Sequence, residues 1–430
     1  MSKNGIVAWQ RLCLQVTCDS RYAESRPERE CDPIASQGCN AAILIALVLF
    51  AVAAAFCGDV VAEETRTFVD DAGREITLPV KIEAVSPSGP LAQIVLYSFD
   101  PDLFVSVSSE FTAVQRKYVN PRMLTLPVTG QFYGSKASTM NPESILELNK
   151  RLNIDVILDV GEEKGTLKED LDTIQRKTGV AFAFVTQNKL ADIPDSYVML
   201  GELLSRPERG QEFFDYISAL LDEFDFGMTT IGGNKKSLIY VTAIDGNSVL
   251  MVGNGSYHAE VIDYVGNNVA KPSISSSGTG DGYTMEDILQ LNPDFIIVAY
   301  AADHAYYKKI LSDPMWQSLS AVQSRNVYEA PNGPYNWMGS PPSIQRLLSM
   351  IWIGNLLYPE IFDYNTDDRV KEFYSLFFHY NLTDEVLSDL MIYAKSHTLP
   401  TPAPPRISAP LFWLIAGLVV TVFAAGRRRY

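Results

Sequence analysis

The chain has 430 residues, 47% hydrophobic and 20% charged, enough to fill more than one core. Its formal charge of −16 divides as zero over residues 1–40, +5 over residues 395–430 and hence −21 over the middle, which excludes a nucleic-acid or other polyanion-binding protein. All five cysteines, Cys13, Cys18, Cys31, Cys39 and Cys57, precede residue 58, so the body beyond them has no disulfide, thiol nucleophile or cysteine metal site.

Residues 1–62 read as an N-terminal extension and export signal. The 17 apolar residues Ala41 to Cys57 form a secretory h-region, and Val60, Val61 and Ala62 offer a cleavage site that starts the mature chain near Glu63. The first 40 residues carry no net charge, unlike a usual signal n-region. At the other end, a spacer over 394–406 contains TLPTPAPPR, with four prolines in nine residues. The apolar stretch 407–426 is about 30 Å long as a helix, and Arg427, Arg428 and Arg429 follow it. This is a membrane anchor with a basic cytoplasmic tail, which places the body on the extracytoplasmic face of the cell membrane. The topology suits an envelope with one membrane, as in archaea.

Between the ends the chain alternates strand and helix. TRTFVDDAGREITLP predicts a hairpin, and IEAVSP, LFVSVS, IDVILDV and VAFAFV read as buried parallel strands separated by helical stretches such as LKEDLDTIQRKTG. A long helical segment over 194–227 follows, with Pro207 kinking it or opening its second half. Strands resume at SLIYVTA, FIIVAY and NVYEA, with helices at 258–265, 285–291, 305–311 and 343–357. The expected fold is α/β, with two similar lobes of mainly parallel sheet over 63–193 and 228–393, one connecting helix and a ligand cleft between the lobes.

A repeat supports the two lobes. ESILELNKRLNIDVIL (143–158) and EDILQLNPDFIIVA (286–299) pair Glu143 with Glu286, Ile145 with Ile288, Leu146 with Leu289 and Asn149 with Asn292. Four extra residues in the first copy then precede the match of Asp155 with Asp294. Each copy sets an acidic residue in the first turn of a helix that feeds a strand.

These segments, with DDAGREITLP, NPESILELN, IDVILDVG, GNGSYHAEVIDYVGNNVA, YTMEDILQLNPDFIIVAY, WQSLSAVQSRNVYEAP and LLSMIWIGNLLYPEIF, follow one another in an order that resembles the substrate-binding proteins of ABC importers for iron-siderophores, haem and cobalamin. The resemblance implies capture of a metal chelate between the lobes and delivery to an ABC permease dimer with its ATPase. It also implies that Glu143 and Glu286 dock against arginines of the permease. The plainer reading of both is helix-terminal charge, worth about 0.3–1 kcal/mol each. Two departures stand out. NKRLNIDVIL lacks the family's short Lys-Pro-Asp turn, so a longer corner is expected there, and SPSGPLAQIV lacks the acidic residue common after the first strand.

A cleft at the carboxyl ends of strands is lined by loop residues. The candidates are Tyr133 and Glu162 in the first lobe, and Tyr257, His258, Tyr283, His304, Tyr335 and Trp337 in the second. Aromatic rings suit a macrocycle, a catecholate or a cationic group. The four histidines show no HxxxH or HExxH spacing, and there is no GxSxG, which excludes the familiar zinc-protease and α/β-hydrolase signatures. SSSGTGDG (275–282) has phosphate-loop glycines without the lysine and helix such a loop requires. No cofactor, resident metal or catalytic residue is expected. The alternatives are a surface sensor or adhesion module, or a cleft enzyme on the same fold. The sequons at Asn254 and Asn381 permit glycosylation.

Overall fold

The computed structural model describes residues 64–132, 138–163, 165–274, 278–339 and 341–395. The expected signal, N-terminal extension, most of the spacer and the anchor at 407–426 lie outside the described residues. Among the described residues no helix is long and apolar enough to cross a membrane.

The chain opens with the expected hairpin, β1 (Thr65–Val69) against β2 (Glu75–Pro79), antiparallel with Phe68 opposite Ile76. Its turn is held down by Arg74, which donates to Asp70 at 3.1 Å, Asp172 at 2.7 Å and the Phe182 carbonyl at 3.0 Å. A buried guanidinium satisfied this fully ties the hairpin to the sheet beside it.

That sheet is parallel, in the order β3 (Val85–Pro87), β4 (Val156–Gly161), β5 (Phe182–Thr186). Helix α1 (Pro90–Phe99), α2 (Pro142–Leu152) and α3 (Leu167–Thr178) pack around it. LFVSVS does not form the expected strand: Phe104 and Val107 make only isolated bridges to Val85 and Val128. There Arg122 donates to the Phe104 carbonyl at 2.8 Å.

The expected single helix over 194–227 is two helices, α4 (Ile193–Leu203) and α5 (Pro207–Ile231). Pro207 lacks an N–H and forces Arg206 out of helical geometry (φ −135°, ψ 60°), while Ser205 turns left-handed at φ 58°. The two then fold back on each other with backbones nearly touching: a Cβ on Gly210 would lie 2.6 Å from the Tyr197 carbonyl oxygen and 3.0 Å from the Gly201 Cα. The crossing between the chain's halves is therefore α5 alone.

The second sheet has the path β11 (Val327–Glu329), β10 (Phe295–Val298), β6 (Ser237–Asp245), β7 (Ser248–Met251), β9 (Asp281–Tyr283), with β8 (Asn267–Asn268) also on β6. It is mixed rather than mainly parallel, because β6 continues through the tight turn at Gly246 (φ 56°) into antiparallel β7, with a bulge between Val241 and Ala243. Helices α6 (Glu260–Val265), α7 (Met285–Leu291), α8 (Ala305–Ser312), α9 (Ser320–Gln323), α10 (Arg346–Leu357), α11 (Thr366–Phe377) and α12 (Asp384–Leu390) complete this half.

The repeat holds to the level of single hydrogen bonds. Both α2 and α7 end on an asparagine in left-handed conformation, Asn153 (φ 47°) and Asn292 (φ 38°). The structural partner of Asn292 is thus Asn153, not Asn149. Two residues after each cap an aspartate grips the neighbouring strand: Asp155 accepts from Glu83 and Ala84 backbone N–H at 2.7 and 2.8 Å, and Asp294 accepts from Ser237 N–H at 3.2 Å and its hydroxyl at 2.7 Å. The four extra residues lengthen the helix by a turn, 11 residues against 7, and leave the corner short.

One apolar core runs from the hairpin through α1, α4 and α5 to α10 and α11. Phe213 on α5 lies 4.8 Å from the Tyr197 ring and 4.9 Å from Phe377, and Phe224 stacks on Phe362 at 4.4 Å. Replacing Gly210 by Ala should lower unfolding free energy by about 1–3 kcal/mol in urea titration, the range for overpacking; an unchanged midpoint would show that the helix pair can part freely.

Candidate functional site

The segment after β5 meets the second half through a cluster of polar contacts. The Tyr257 hydroxyl donates to the Gln187 carbonyl at 3.1 Å, and the Leu190 N–H donates to Glu260 at 2.8 Å. Ser343 donates to the Gln187 side chain at 3.2 Å, which itself donates to Ser196 at 3.0 Å. Arg346, at the head of α10, forms an ion pair with Glu260 and sets its guanidinium 5.4 Å from the Tyr257 ring centroid.

The chain places these groups for simple reasons. Ser256 caps the short turn that carries Tyr257 and His258, accepting the His258 N–H at 3.3 Å. Glu260 then stands in the first turn of α6, where the helix dipole favours an acid. Arg346 is the one charged residue of its helix and is only 1% exposed, and its Nη2 has no hydrogen-bond partner among the described residues. Burial pushes the Glu260 carboxyl up against the pull of Arg346, and it also raises the Tyr257 phenol.

His258 lies between two glycines. Its Nδ1 faces the Gly339 carbonyl oxygen at 3.4 Å, and a Cβ on Gly278 would come within 3.0 Å of its ring. Burial lowers its pKa, which keeps the imidazole neutral near pH 7. Glu162, exposed just past β4, acts electrostatically on Tyr257 and so belongs to the same neighbourhood.

The remaining sequence candidates fall elsewhere. Tyr133 lies outside the described residues. Tyr335 and Trp337 are core residues, 5% and 0% exposed, not cleft surface. Their loop turns inward: Trp337 Nε1 donates to the Tyr374 hydroxyl at 3.3 Å, and that hydroxyl bonds to the Gly333 carbonyl. Tyr283 is buried in β9 with its hydroxyl 3.3 Å from the Lys271 carbonyl. His304 pairs with the buried Glu329 and packs edge-on against Tyr393 at 4.6 Å. Among the described residues no group of three or more His, Cys, Asp or Glu could hold a metal ion.

Glu143 and Glu286 are both exposed in the first turns of α2 and α7. Sequence reasoning missed Gln187, Glu260, Ser343 and Arg346. Arg346 did carry a signal, as a lone charge heading the apolar run LLSMIWIG.

A family model described as "periplasmic binding protein" matches residues 152–334. An ABC transporter solute binding protein from Sulfurospirillum deleyianum matches with TM-score 0.67 and 27% identity, over 76% of this chain and 99% of that one. This chain is periplasmic-binding-protein-like. Its likeness is to solute-binding components of ABC transporters, a family that works outside the cytoplasm. The TroA-like periplasmic binding protein FepB from Veillonella parvula shares the fold at TM-score 0.57 and 22% identity, over 74% of this chain and 97% of its own. So does the molybdate-bound MolA of Haemophilus influenzae, at 0.55 and 17%, over 74% and 99%. No curated protein sequence matches.

Two predictions follow from the site's electrostatics. Glu260→Gln should cost roughly 2 kcal/mol by urea denaturation, since it strands Arg346; Glu260→Gln with Arg346→Met should recover part of it. If the single variant is as stable as the parent, the pair is not a structural tie. On α7, the Lys271 hydrogen bond and the Thr284 capping box hold the Asp287 carboxyl down at about 2. A depressed folded-state pKa adds stability above the ordinary carboxylate range and loses it as pH falls through about 2. Asp287→Asn should therefore melt lower than the parent at pH 7, with the gap closing toward pH 2; a gap independent of pH would contradict the ion-pair account.

Proposed function

We propose that the protein is the extracytoplasmic, membrane-anchored substrate-binding component of an ABC importer, and that it captures a metal chelate and hands it to the permease. The observation that carries this reading is the match to a solute binding protein along nearly that protein's whole length. The first lobe comprises residues 63–193, the second 228–393, and α5 joins them. Cargo sits between the lobes, against Tyr257, His258 and Glu162, with an aromatic face and a neutral imidazole available to a planar or metal-bearing ligand. An iron-siderophore is the favoured cargo, with cobalamin or haem as the alternatives.

Residues 407–426 anchor the protein, and the signal over 41–57 directs its export. Delivery requires the permease to read both lobes at once, and Glu143 and Glu286 are the docking acids. Paired charges of this kind set orientation and encounter rate more than affinity. The core shared by α1, α4, α5, α10 and α11 supports small lobe movements on loading, because a wide hinge would expose it.

The test is native mass spectrometry and visible absorption of residues 63–395 with ferric siderophores, haem, cobalamin and molybdate offered in turn. One tight 1:1 complex is expected, weakened about tenfold in Tyr257→Ala, with little change in solution scattering on loading. Binding to none of these, or a hinge of tens of degrees, would count against the reading.

A further inference from the structure

Asparagine side chains hold the backbone at many points of this chain. Asn120, Asn141 and Asn365 cap helical turns, and Asn149, Asn292 and Asn336 accept backbone N–H groups elsewhere. Asn326 and Asn355 donate to carbonyls. Asn381 does none of this. It lies exposed in the loop between α11 and α12, and its side chain holds no hydrogen bond among the described residues.

The loop around it is nevertheless anchored. Tyr380 meets the Tyr118 ring edge-on at 5.3 Å, and Leu382 is 8% exposed within the main core. Thr383 caps α12, accepting the Val386 N–H at 3.3 Å. Asn381 is thus an exposed residue between anchored ones, in the triplet Asn381-Leu382-Thr383 that accepts N-linked sugar.

The other such triplet, Asn254-Gly255-Ser256, has a different setting. The Asn254 carbonyl accepts the Ser273 N–H at 3.1 Å, and the Gly255 N–H donates to Asp263 at 2.8 Å. Gly255 is left-handed at φ 75°, and Ser256 caps the turn that carries Tyr257 and His258. A bulky, hydrated oligosaccharide three residues before Tyr257 would crowd that turn.

We propose that Asn381 is an N-glycosylation site and that Asn254 is not. The Asn381 Nδ2 bonds to the anomeric carbon of a lipid-linked oligosaccharide. The bond from that carbon to the lipid phosphate oxygen breaks, the phosphate leaves with the electron pair, and the amide proton passes to a base of the transferase. The inference rests on the extracytoplasmic placement above, where such a donor and transferase meet the chain.

The experiment is peptide mass spectrometry of the full chain purified from the membranes of its own cell. Trypsin separates the two triplets, on residues 237–308 and 372–395. The second peptide should carry an added oligosaccharide mass, and the first should have its bare mass. Asn381→Gln should abolish the addition. Thr383→Asp should abolish it as well while keeping the helix cap, and Thr383→Ser should keep both. Far-UV circular dichroism controls for folding.

A bare 372–395 peptide, in a protein that external protease cleaves on intact cells, would overturn the inference and leave the placement standing. A bare peptide in a protein shielded from that protease would overturn both. Sugar on 237–308, or an added mass on 372–395 that survives Thr383→Asp, would also overturn the assignment.

Discussion

Burial of helix α5 is the constraint on which the rest depends. Its apolar residues Phe213, Ile217, Leu220 and Phe224 are held on one side by α4 and on the other by α10 and α11, so two sheets that never pair with each other share a core. Each half alone would leave that face in water. The close passage of Gly201 against Gly210 is the most demanding point, because only a residue without Cβ allows two backbones that near. The polar contacts of Tyr257, Glu260 and Arg346 form where this packing brings the halves together.

Much of this was legible in the sequence because it follows from periodicity and local chemistry. The hairpin, strands β4, β5, β6 and β10 and the acids at the heads of α2 and α7 follow from alternation, helical spacing and capping. The repeat was legible too, but its register was not. A left-handed asparagine and an aspartate two residues later define the equivalent corners, and a helix one turn longer shifts the apparent alignment by four residues. Helical side chains keep nearly the same face after such an insertion, so the apolar pattern carries no trace of it.

Tertiary choices were hidden. Pro207 announced a break, yet whether the chain bends or reverses there depends on Ser205 and on the helix pair that a reversal permits. The mixed second sheet depends on a turn at Gly246, beyond the end of SLIYVTA, that sends the chain back as a further strand. The aromatic candidates divided by packing rather than by loop composition. Trp337 and Tyr335 stand among prolines and glycines, but large rings gain most by leaving water, and their loop folds into the core. Tyr257 stays half-buried because its hydroxyl reaches a backbone carbonyl of the other half. Nothing local distinguishes these cases. Gln187 and Ser343 are ordinary polar residues whose meaning comes only from meeting.

The last described residues give the body a mechanical property. Tyr393 accepts the Glu329 N–H at 2.9 Å along the open edge of β11, and its ring sits 4.4 Å from Tyr307. Trp352 donates to the Ala394 carbonyl at 2.8 Å, and Lys395 pairs with Asp367. This segment covers a sheet edge that would otherwise invite another strand. It is also where tension on the chain would enter. A pull at Lys395 meets a surface ion pair first, then a buried indole hydrogen bond, then a strand-edge bond backed by the tilted contact of the Tyr393 and Tyr307 rings. Load would thus meet these contacts in turn and pass through Trp352 into α10, the helix that Arg346 opens.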